Sequence, residues 1–117
     1  MSKSRVITRL VSFVFYPLDD PDHYTEGGCE VFLYGDRGFM FAISGRGFFK
    51  SFVPSCEDFM NSNGLHTLEG YMSRTNARSV RMVFSNNHDF KVTLDSPREI
   101  EGHVVQWVTV ELLKRRE

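Results

Sequence analysis

Six side chains carry nucleophilic or metal-ligating chemistry: Cys29, Cys56, His23, His66, His88 and His103. A thiolate beside an imidazole base is a simple activated nucleophile. Cysteine and histidine are also the common zinc ligands. The spacing supports neither. There is no C-x-x-C, no H-x-x-x-H, no H-E-x-x-H, no G-x-S-x-G, no Walker-type phosphate loop and no G-x-G-x-x-G. Four carboxylates, Asp19, Asp20, Asp22 and Glu26, cluster in one segment, but without the 1-3-5-12 ligand spacing of an EF-hand. The residues thus predict a protein without catalytic, cofactor-binding or metal-binding residues. Each cysteine reads as a small buried hydrophobe.

The richer chemistry is aromatic. Eleven Phe, four Tyr, one Trp and five Met are many large side chains for one small core. Aromatics, Met and Arg are the residue types enriched at interface cores. The segment Arg37-Gly38-Phe39-Met40-Phe41-Ala42-Ile43 partly resembles the RNA-binding strand signature of RRM domains, in which a basic residue and glycine precede alternating aromatics. Arg37, Gly38, Phe39 and Phe41 match; Met40, Ala42 and Ser44 depart. An RRM also needs a helix between its first two strands, where this chain has the loop 17–28. The resemblance would imply bases stacking on exposed rings with Arg at the phosphates. The simpler reading turns Phe39, Phe41 and Ile43 into a core.

The elements that must position these residues follow from periodicity. A strand over 5–16 is apolar on both parities, as a strand in the middle of a sheet or between layers would be. The segment 17–28 is a loop. Strands over 29–34 and 39–44 form a hairpin about Gly35-Asp36-Arg37-Gly38. In the first, Phe32 and Tyr34 oppose Cys29, Val31 and Leu33. Gly45-Arg46-Gly47 makes a further turn, and 48–53 reads as a third strand with Phe on both faces. Pro54 ends it, and Ser55 caps a short helix stopped by Asn61-Ser62-Asn63-Gly64. Residues 65–74 fit a helix or a strand. Val80, Met82 and Phe84 alternate as a strand, 86–89 turn, and 90–94 form a half-exposed strand. Residues 95–102 turn again, 104–113 form the last strand, and 114–117 are a charged end.

The predicted fold class is α+β: a mainly antiparallel, curved sheet of six to seven strands with one or two short helices near 55–74, in a single domain over 1–117. An all-β sandwich or barrel is the alternative. Short connections predict antiparallel neighbours. Fourteen basic against fifteen acidic residues exclude bulk-charge coating of duplex nucleic acid. Ten of the basic residues are Arg, which suits planar contacts. No membrane span and no apolar leader are expected, which places the chain in a reducing, cytoplasmic compartment.

These observations predict a non-enzymatic protein-binding module of the small inhibitor, accessory or immunity-like type. Its contact surface would comprise Phe32, Tyr34, Arg46 and Phe49, with Asp19, Asp20 and Asp22 at the rim. Single-stranded nucleic acid bound by Arg37, Phe39, Phe41 and Arg46 is the alternative partner. A small Cys/His or carboxylate enzyme is a third reading. An exposed edge strand could also pair two copies as a homodimer.

Overall fold

The computed structural model describes residues 9–15, 27–44 and 49–114. Within them the chain forms strands β1 (Arg9–Phe15), β2 (Gly27–Tyr34) and β3 (Arg37–Ser44), helix α1 (Phe49–Ser62), strand β4 (Thr67–Ser73), helix α2 (Arg74–Phe84), and strands β5 (Phe90–Leu94), β6 (Arg98–Ile100) and β7 (His103–Leu112). The strands make one open sheet in the order β1-β2-β3-β4-β7-β5, and β6 also pairs with β7. The α+β class and the mostly antiparallel sheet agree with the sequence reading.

The β2–β3 hairpin turns on only two residues, Gly35 and Asp36. Gly35, with φ of 61°, takes the first turn position, where a positive φ matches the strand twist. Arg37 and Gly38 therefore belong to β3. The turn also anchors the next crossover, because the Asp36 carbonyl accepts from His66 N–H.

Residues 49–53 are helical, not a third strand, and Ser55 lies inside α1 instead of capping it. The short run Phe48-Phe49-x-x-Phe52-Val53 fits either period. The longer pattern decides, because Phe52, Cys56 and Met60 repeat every four residues and are all fully buried. Pro54 does not end the run but lies inside α1, exposed in its second turn, where it has no N–H to give to the helix ladder. The stop at 61–64 forms as expected. Gly64 takes φ of 65°, Leu65 N–H bonds the Met60 carbonyl, Gly64 N–H bonds that of Asn61, and Leu65 is buried.

Residues 67–73 resolve the ambiguous segment as a strand. Residues 80–84, expected as a strand, belong to α2. Ser73 begins that helix, its hydroxyl accepting from Asn76 N–H at 3.2 Å. Ala77, Val80 and Phe84 are its buried stripe, whereas Met82 is exposed. The apparent alternation through Met82 was a coincidence of composition. One pairing also departs from expectation. Once α1 is a full crossover helix, β4 lies parallel to β3, in register Arg37↔Thr67 to Phe39↔Glu69. Then α2 carries the chain over β7 to β5, and the β6–β7 hairpin closes on Glu101-Gly102, both with positive φ.

Both helices cover the same sheet face. Val31, Leu33 and Met40, Leu68 and Met72, and Val108, Val110 and Leu112 meet α1 and α2 there in one apolar cluster. The other face carries no helix among the described residues.

Candidate functional site

The helix-free face bears an aromatic array that crosses four strands. Phe32 on β2 stacks on Phe41 of β3, with centroids 4.9 Å apart. Tyr34 meets Phe39 edge-on at 6.4 Å, Phe39 lies 6.4 Å from Trp107, and Trp107 packs against Tyr71 at 4.8 Å. The strand period of two places them together: 32 and 34, 39 and 41, 71, and 107 all point away from the helices. Phe41, Tyr34, Phe32 and Tyr71 stay 50%, 48%, 41% and 38% exposed. Phe39 and Trp107 are half-buried beneath them.

One carboxylate organises the centre. Glu69 is buried on this face, and its carboxylate accepts hydrogen bonds from three side chains. Arg37 donates through Nε at 3.0 Å and Nη2 at 2.9 Å, Thr67 Oγ1 donates at 2.8 Å and Trp107 Nε1 at 3.2 Å. Burial pushes the Glu69 carboxyl up, but the Arg37 and Thr67 hydrogen bonds, the Arg37 charge and the Trp107 N–H together outweigh it and hold the group below its usual value. The same pair raises the Arg37 pKa, chiefly through the hydrogen bond to Glu69. The bidentate geometry fixes Arg37 over the Phe39 ring at 5.3 Å, with half its side chain in solvent. At the far end Arg98 lies 5.9 Å over Tyr71 and donates to its hydroxyl at 2.8 Å. His66 and Glu111 pair at 2.9 Å, both exposed.

The expected contact residues fall as follows. Phe32 and Tyr34 sit in the array. Phe49 stands at the start of α1 instead of on a strand beside them. Arg46, Asp19, Asp20 and Asp22 lie outside the described residues, as do the turn 45–47 and the acidic loop. Phe39 and Phe41 face away from the helix-packed core, which corrects the inward reading: Gly38 and Met40 take the buried side of β3. Glu69, Tyr71, Arg98 and Trp107 were not foreseen. A lone acidic residue between Leu68 and Gly70 was the available hint.

Among the described residues the groups considered for chemistry do not converge. Cys29 and Cys56 are buried and free. Burial, aided by Glu30, pushes the Cys29 thiol up to about 12; burial and then Cys29 push that of Cys56 well above its ordinary value. Neither is a reactive thiolate. Among the described residues no three His, Cys, Asp or Glu side chains gather as metal ligands, and no helix is long and apolar enough to cross a membrane. Comparison with protein-family models, curated proteins and solved structures returns no match, so the open face is read from its own geometry.

Proposed function

We propose that this protein is a binding module that engages a partner protein through the helix-free face of its sheet. The observation that carries this reading is the exposed array of Phe32, Tyr34, Phe41 and Tyr71, held on the sheet beside the Arg37–Glu69–Trp107 network. Contiguous exposed aromatic surface is uncommon on a folded domain unless something covers it. Rings with few rotatable bonds, flanked by Arg, are the groups on which binding energy concentrates. The balanced charge also suits a protein partner better than a polyanion.

The test is affinity capture of the tagged protein from its own cell lysate, with and without nuclease, beside the double variant Phe32→Ser/Phe41→Ser. A stoichiometric protein that survives nuclease and is lost with the double variant is the expected result. A partner retained by a folded double variant would place the interface elsewhere.

A second reading is supported by the two guanidinium groups over rings, Arg37 on Phe39 and Arg98 on Tyr71. Stacking surfaces next to cations suit single-stranded nucleic acid. This reading requires nuclease-sensitive capture and binding that weakens steeply with salt.

A further inference from the structure

The sheet ends at β5, and its outer edge opens onto a cleft beside α2. The cleft has a volume of about 470 Å³, and Phe84, Phe90, Val92 and Leu113 are its apolar lining residues, beside Ser85 and Asn87. The main chain along this edge can be worked out from the pairing with β7. Leu113 N–H donates to the Asp89 carbonyl at 2.7 Å and Asp95 N–H to the Trp107 carbonyl at 3.0 Å. Bonded residues alternate in an antiparallel pair. Lys91 and Thr93 therefore bond β7, while Val92 and Leu94 turn their N–H and C=O groups outward. Among the described residues nothing bonds those outward groups.

The charges around the cleft have one sign. Arg81, His88 and Lys91 line it, no carboxylate does, and none of the three is in an ion pair among the described residues. Glu111, opposite Lys91 across the strands, is engaged by His66. Lys114, exposed, follows Leu113. A strand edge unpaired among the described residues, apolar lining residues and cationic lining residues together specify an occupant. We infer that an extended peptide segment of a partner, with apolar residues alternating with acidic ones, adds to β5 as a further strand and packs against α2. A second copy of this chain fits less well, because pairing β5 with β5 would bring two sets of Arg81 and Lys91 together. This edge is separate from the aromatic face, and the inference does not rest on the function proposed for that face.

The probe is a fluorescein-labelled hexapeptide of alternating valine and glutamate, titrated by anisotropy, with the valine and lysine counterpart as control. The glutamate peptide should bind at least about tenfold more tightly than the lysine peptide. It should also slow amide exchange at Val92 and Leu94. Val92→Pro removes an outward N–H that β7 does not use, so the protein should fold and lose the peptide. Lys91→Glu, at an exposed position of β5 on the face to which the acidic residues of an added strand turn, should weaken binding at least about fivefold, and it serves if the proline variant does not fold. The Phe32→Ser/Phe41→Ser variant should bind the peptide as the wild type does. Absence of binding, binding unchanged in Lys91→Glu, or protection of Val92 and Leu94 that grows with protein concentration alone would each overturn the inference, the last by assigning the edge to a second copy.

Discussion

A buried carboxylate is costly unless its oxygens are met by donors, and Glu69 meets that condition with four hydrogen bonds from three residues. Its ionised form is therefore the stabilising one. Because the folded-state pKa lies below the ordinary 4.5, the contribution is fully present above that value. It is lost as pH falls through the lower folded value, where the native carboxylate takes up its proton. Glu69→Gln keeps the shape but removes the charge, and should destabilise the protein by about 1–3 kcal/mol at neutral pH. The deficit should shrink on acidification below pH 4.5, since only the wild type titrates there. Trp107 is the single tryptophan and donates to Glu69, so its fluorescence in urea titrations at neutral and acid pH reads both states. A deficit that does not change with pH would mean that the ionised carboxylate is not what the network depends on.

The elements are held in register by a close approach that only glycine permits. A Cβ at Gly70 of β4 would fall on the Met40 carbonyl oxygen of β3, and Met40 Cβ lies only 3.2 Å away. Backbone cannot yield as a side-chain tip can. Gly70→Ala should thus lower stability by about 1–3 kcal/mol, against the modest gain expected from alanine's strand entropy; a fall in the midpoint of thermal unfolding measures it, and an unchanged midpoint would show that β3 and β4 slide apart freely. That contact also shows where sequence reading stops. The β2–β3 hairpin, the stop at 61–64 and the turn at 86–89 were legible because each is encoded within a few residues. The outward parity of Phe32 and Tyr34 followed from alternation alone. Helix α1 was recovered only from Ser55 onward and α2 was missed, because Phe48 to Val53 and Val80 to Phe84 satisfy two periods and only distant packing selects one. The centre of the site was hidden for a related reason. Glu69 and Trp107 are 38 residues apart in sequence, and they meet only because β4 pairs with β7.

At the scale of the molecule the two sheet faces are unequal. One is sealed by both helices around a continuous core; the other leaves four aromatic rings in solvent. If those rings were there for stability, truncating them would cost what a core ring costs. Phe52, fully buried on α1 and edge-on to Phe84 at 6.2 Å, is the comparison. Phe52→Ala should cost about 3–5 kcal/mol through lost burial and a residual cavity. Phe41→Ala should cost about 1 kcal/mol or less, the value of its stack with Phe32. Urea unfolding of both variants, followed by far-UV circular dichroism and by Trp107 fluorescence, measures the difference. A large gap between them means that the open face contributes little to folding and that its rings remain available for contact. Equal losses would make the aromatic array a second core and remove the basis for a binding face.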